Sequence, residues 1–134
     1  MSFHENDDFL RESIEHYLPP QNRLEKFYYP CLDVLKIIIT DAEYKSNTSS
    51  VKTLSIGNLD QHDRVMSKLD ELVKYQHFAS SESKELFNSF RRVVGDYYKD
   101  DVEDYDFISV RSIIIDSVEA DIKNFENNPY GDVM

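Results

Sequence analysis

Tryptophan is absent from this chain, cysteine occurs once, and the 134 residues hold only 3 glycines and 4 prolines. Each shortage excludes something. A single cysteine, Cys31, rules out an intramolecular disulfide and a thiolate zinc site, and its place in an apolar run marks it as a buried thiol suited to a reducing compartment. So few glycines and prolines leave little punctuation for the many tight turns of a β-sandwich or barrel. The isolated Gly57, Gly95 and Gly131 cannot form the glycine-rich loop with which backbone amides wrap a phosphate, so nucleotide binding is not expected. Apolar runs such as Ile37-Ile38-Ile39 are far too short to span a bilayer, and the opening Met1-Ser2-Phe3-His4-Glu5-Asn6-Asp7-Asp8 resembles neither a basic leader nor an apolar signal. A cytoplasmic protein is the expectation.

Positive charge is the other shortage. Acids number 26 against 15 bases, giving a net charge of −11. A field of that sign repels nucleic acid and anionic membranes and speeds encounter with basic proteins. The partner expected is therefore a basic protein, with no direct nucleic-acid or membrane contact. Apolar material is plentiful: 40% of residues are hydrophobic, including 8 Phe and 9 Tyr, enough for the core of one domain spanning residues 1–134.

Periodicity predicts an all-α, single-domain bundle of about five helices with one longer Ser/Thr-rich loop. The first helix runs over 7–18, with Leu10, Ile14, Tyr17 and Leu18 at helical spacing, Asn6 as its cap and Pro19-Pro20 as its stop. The second opens at Asn22, answered by Glu25, and keeps Leu24, Tyr28, Cys31, Leu35, Ile38 and Ala42 on one face. Pro30 should kink or restart it, and a strand at 37–40 competes with its end. Residues 46–57 read as the long loop, or as a short hairpin including 51–56. A third helix begins at Asn58, with Gln61 as reciprocal capping partner, and carries Leu59, Met66, Leu69 and Val73 towards His77 or Phe78. Ser80 or Ser81 caps a fourth bearing Leu86, Phe90, Val93 and Tyr97, with Gly95 as its weak point. The last, capped by Asp106, carries Phe107, Val110, Ile114, Val118, Ile122 and Phe125 before Asn127-Asn128-Pro129 ends it.

Residues with catalytic or metal-binding chemistry are sparsely arranged. His4, His16, His62 and His77 form no HExxH, and Glu12 with His16 has no second copy of the kind that bundle di-iron sites use, so no metal and no cofactor are expected. Cys31 lies among Tyr29, Pro30 and Leu32, which offer nothing to lower its pKa, so it is not a nucleophile. Carboxylates such as Asp100-Asp101 or Glu119 with Asp121 are abundant, but acid–base catalysis needs two of them in different environments and a cleft. One pattern remains. Arg11 and His16 stand as Arg-x-x-x-x-His, which resembles the short active-site motif of the helical HEPN ribonucleases. The resemblance covers six residues and implies, as an alternative function, that Arg11 and His16 attack RNA. In that family the motif lies late in the chain, whereas here it occupies the first predicted helix. Five residues also turn a regular helix by about 500°, setting the two side chains apart in azimuth.

The densest acidic run is interleaved with tyrosine: Asp96, Tyr97, Tyr98, Asp100, Asp101, Glu103, Asp104, Tyr105 and Asp106, with Lys99 as its one base. Tyrosine supplies rigid contact area ending in a hydroxyl, and surrounding carboxylates steer a basic partner towards it. The run is therefore the expected partner-binding site, with Tyr97 also eligible for the core. A second acidic surface is expected on the last helix, where Asp116, Glu119, Asp121 and Glu126 outnumber Lys123 and Tyr130 follows. Small acidic proteins that bind basic ones include immunity proteins or antitoxins of nucleases, DNA mimics, and adaptors. Neutralising a toxin needs aromatic anchors as well as long-range attraction, so the first class is the expected one.

Overall fold

The computed structural model describes residues 20–46, 52–99 and 101–127; the helix expected over 7–18, with Arg11 and His16, lies outside them, as do Asp100 and Tyr130. Helix α1 (Pro20–Arg23) runs through one wide turn, Leu24–Tyr28, directly into α2 (Tyr29–Ile37). The Tyr29 N–H reaches back five residues to the Leu24 carbonyl. Pro30 explains the widening, because it has no N–H to give the Lys26 carbonyl and its ring would crowd that carbonyl in a regular helix. The expected kink is thus a π turn within a continuous helix, and Asn22 sits inside that helix rather than at its cap.

At Ile38 the backbone becomes extended (φ −88°, ψ 112°), ending α2 well before Ala42, which is exposed. The competing strand is real. Strand β1 (Ile38–Ile39) pairs in parallel with β2 (Leu54–Ser55), Ile38 beside Leu54 and Ile39 beside Ser55. The Ile56 N–H extends the clip by donating to the Ile39 carbonyl at 2.8 Å. Between the strands lies α3 (Asp41–Ser46), opened by a reciprocal cap in which Thr40 Oγ1 accepts the Glu43 N–H and Glu43 Oε1 accepts the Thr40 N–H. Gly57 follows β2 so closely against α3 that an added Cβ would stand 2.8 Å from the Asp41 Cβ.

Asn58 does cap, its side chain accepting the Asp60 N–H, but what it opens is a tight 3₁₀ turn, Leu59–Gln61, and only then α4 (His62–Val73). Gln61 does not answer it; its Oε1 accepts the Ser55 N–H at 2.7 Å. A 3₁₀ turn holds three residues rather than 3.6, which shifts the phase of the helix that follows. The inward stripe is accordingly Val65, Leu69 and Leu72, with Met66 and Val73 half-buried beside it and Leu59 exposed. Ser80 caps α5 (Ser81–Tyr97), its Oγ accepting the Ser83 N–H. Helix α6 (Asp104–Asn127) starts two residues ahead of the expected Asp106.

Helices α5 and α6 form the main antiparallel pair, and α2 crosses α6 and α4 to close the core. Phe107, Ile114, Val118, Ile122 and Phe125 line the inner face of α6, facing Phe87, Phe90 and Val94 of α5. Phe27 sits at the centre, edge-on to Tyr28 at 5.4 Å and to Phe87 at 5.6 Å. Cys31 is fully buried, and burial pushes its thiol up to about 12, leaving it an unreactive core residue.

One ion pair ties α3 to α6. Arg111, with a side chain only 13% exposed, grips Glu43 through two hydrogen bonds of 2.8 Å. Its guanidinium also lies 5.3 Å over the Phe107 ring. The Arg111 hydrogen bonds, helped by the Thr40 N–H, hold the Glu43 carboxyl below the ordinary glutamate range against the opposing effect of burial.

Two outcomes test this packing. Phe27→Ala should lose about 3–5 kcal/mol in urea unfolding, and a loss below about 1 kcal/mol would place the ring outside the core. Because Glu43 binds its proton more weakly when folded, the pair's stabilisation is present above the ordinary glutamate pKa of about 4.3 and disappears as pH falls through the folded value. Urea midpoints of wild type and Glu43→Gln should therefore converge between about pH 6 and about pH 3; an unchanged gap would contradict the pairing.

Candidate protein-interaction surface

The acidic tyrosine run falls at the turn between α5 and α6 and is divided between two helix ends with opposite polarity. At the α5 end the Asp96 carbonyl accepts two N–H groups, from Lys99 at 3.0 Å and Asp101 at 3.1 Å, which turns the chain sharply. At the α6 end the Glu103 carbonyl accepts the N–H groups of Asp106 and Phe107. Asp104 and Asp106 thus occupy the first turn of α6, where negative charge meets unpaired N–H groups. The chain turns away at the end of α5, and Asp104, Tyr105 and Asp106 go on to start α6, where carboxylates are stabilising.

The tyrosines take separate roles. Tyr97 is half-buried against the core and bonds to the Asp104 carboxylate; burial first, then Asp104, push its hydroxyl up to about 12. Tyr98 is half-buried too, its ring edge-on to His62 at 4.1 Å. Its hydroxyl is buried and finds no hydrogen-bond partner among the described residues, and desolvation raises its pKa. Tyr105 is 75% exposed, as is Leu59. Asp101, Glu103 and Asp106 are exposed, while Asp96 and Asp104 are half-buried.

Between these residues opens a groove of about 620 Å³. Ile56, Gly57 and Leu59 form one side; Tyr97, Tyr98 and Val102 form the other, with Glu103 and Asp104 at the rim. The sequence alone did not bring the β2–α4 connection to this place. The structure brings together eight of the nine expected residues along one turn but turns Tyr97 and Tyr98 inward, leaving Tyr105 as the exposed aromatic.

The second acidic surface is altered in one respect. Asp116, Glu119 and Glu126 are exposed on α6, but Asp121 faces inward. Its Oδ2 receives three hydroxyls: Tyr28 at 3.0 Å, Ser80 at 2.7 Å and Ser83 at 2.6 Å. The Tyr28 oxygen in turn accepts the Ser80 N–H at 2.9 Å, and Ser80 Oγ accepts the Ser83 N–H. Since Ser83 spends its one proton on Asp121, the 2.8 Å contact with Ser117 must have Ser117 donating. Every hydroxyl except the terminal Ser117 both gives and receives, and burial beside a carboxylate pushes the Tyr28 hydroxyl far above its ordinary value. With no histidine in it, the network has no general base for Ser80 or Ser83 and serves as a lock between the Leu24–Tyr28 turn, α5 and α6. Only the Ser80 cap was readable in the sequence.

Among the described residues no three His, Cys, Asp or Glu side chains are grouped to hold a metal ion. No helix among them is long and apolar enough to cross a membrane. Comparison with protein-family models, curated proteins and solved structures gave no match to this chain.

Asp121→Ala would remove the acceptor shared by three hydroxyls and should cost about 2–3 kcal/mol in urea unfolding, whereas exposed Asp116→Ala should change stability by less than about 0.5 kcal/mol. Equal effects would mean that Asp121 is an ordinary solvated acid.

Proposed function

We propose that this chain is a small protein-binding inhibitor, an immunity protein or antitoxin that neutralises a basic nuclease-type toxin by direct contact. The observation that carries the reading is the α5–α6 turn, where Glu103 and Asp104 line a groove with Leu59, Tyr97 and Tyr98, and exposed Asp101, Tyr105 and Asp106 stand on the same turn. Carboxylates of this kind accelerate the encounter with a basic surface, and aromatic and aliphatic anchors supply the desolvated contact that retains it. Backbone N–H groups donating to the Asp96 and Glu103 carbonyls hold the turn before any partner arrives, which lowers the ordering cost of binding.

Capture on the tagged chain from its own host, washed at high salt, should retain one basic protein. That protein should gain nuclease activity once the chain is stripped away, because high salt screens bare charge attraction while a desolvated interface survives. Tyr105→Ala combined with Asp101→Lys should weaken retention by about 100-fold without moving the thermal midpoint, both side chains being exposed. Retention that ignores this pair, or a retained protein with no nuclease activity after release, would overturn the reading.

A further inference from the structure

A second groove, of about 660 Å³, opens beside α4 and shares no residue with the acidic one. Its floor is apolar, formed by Ile37 at the end of α2 and Leu54 of β2. Its walls carry Lys52, Arg64 and Lys68, with the Ser67 hydroxyl between the last two and Asp63 as the only carboxylate. Four cations elsewhere are each matched to an acid: Arg111 to Glu43, Arg91 to Asp70, Lys74 to Glu71, Lys45 to Asp41. Lys52, Arg64 and Lys68 form no ion pair among the described residues, in a chain with 26 acids available. Arg64 and Lys68 are also four residues apart on one helix, a spacing at which like charges repel.

We infer that this groove binds a small amphipathic phosphomonoester, its phosphate held by Arg64, Lys68 and Lys52 and its apolar group laid on Ile37 and Leu54. Three cations against one carboxylate leave a positive surplus that suits a dianion better than a singly charged carboxylate, and a phosphomonoester carries about −1.5 to −2 at neutral pH. Arg64 offers a planar fork for two phosphate oxygens, the lysines offer point charges, and Ser67 adds a hydroxyl donor. A bound phosphate also relieves the repulsion between Arg64 and Lys68. The volume falls within the range of small-molecule sites, and a few polar groups around an apolar floor are what such sites use for orientation.

The probe is 1-naphthyl phosphate, titrated into the full chain and followed by methyl NMR shifts at Ile37 and Leu54, with 1-naphthol and inorganic phosphate as comparisons. Saturable shifts at both methyls with Kd below about 1 mM, and binding at least about tenfold weaker for each comparison compound, are expected. Arg64→Gln with Lys68→Gln should weaken the naphthyl phosphate by at least about tenfold, and Lys52→Gln, a single exposed change, gives the same readout if the double variant does not fold. Absence of saturable shifts, naphthol binding as tightly as its phosphate, or variants that bind like wild type would overturn the assignment. Inorganic phosphate binding as tightly as the ester would overturn the role of the apolar floor.

Discussion

Three hydroxyls converging on one carboxylate oxygen set the geometry of this protein. Asp121 lies late in α6, Ser80 and Ser83 open α5, and Tyr28 belongs to the wide turn before Pro30. The pairs are separated by 93, 41 and 38 residues along the chain. The network therefore pins together the elements that the apolar core presses against one another. Hydrophobic contact between α5 and α6 tolerates some sliding, because apolar burial has no direction. Hydrogen bonds of about 2.6–3.0 Å to one atom do not tolerate it. The carboxylate is also placed at the N-terminal end of α5, where the helix dipole favours negative charge.

From that lock the opposite end of the pair follows. Once the start of α5 is held against the later part of α6, the far ends meet at the Asp96–Asp106 turn, and the carboxylates there are divided between a C-terminus that repels them and an N-terminus that attracts them. Those at the α6 start are held in the first turn by the helix; Asp101 projects to solvent. The Arg111–Glu43 pair holds α3 and the β1–β2 clip against the same helix, and the segment after β2 completes the groove beside the tyrosines. Charge is thus segregated at short range in a strongly acidic chain, with a carboxylate-rimmed groove after β2 and a cation-rimmed one beside α4.

Much of the fold was legible because the long helices obey their own period. The α6 stripe from Phe107 to Phe125 and the Ser80 cap were readable from spacing and residue type. What escaped had definite physical causes. On α4 Leu69 is buried as expected, but Val65 and Leu72 take the inward places expected of Met66 and Val73, and Leu59 lies in the 3₁₀ turn that precedes the helix. The end of α2 was hidden by the run Ile37 to Thr40, apolar enough for a helix and β-branched enough for a strand, although Thr40-Asp41-Ala42-Glu43 spells a capping box that marks the break. At the candidate surface, composition located the acidic turn and the helical stripe marked Tyr97 as eligible for the core, but Tyr98 and Tyr105 look alike until their neighbours are known. Asp121 is the sharpest case. In sequence it is one acid among Asp116, Glu119 and Glu126, and only the hydroxyls brought to it by three other positions distinguish it.

The lock makes a demand that an ordinary helix start does not. The first N–H groups of a helix have no intrahelical acceptor and exchange with solvent readily. Here the Ser80 N–H donates to the Tyr28 hydroxyl and the Ser83 N–H to Ser80 Oγ. Residue-resolved amide hydrogen exchange is the direct measurement. Ser80 and Ser83 should be protected to about the same degree as the middle of α5, and should lose that protection in Asp121→Ala while the helix centre keeps it. Exchange at both amides as fast as at an unstructured peptide would show that the hydroxyls do not converge on Asp121, and that the α5–α6 register rests on apolar packing alone.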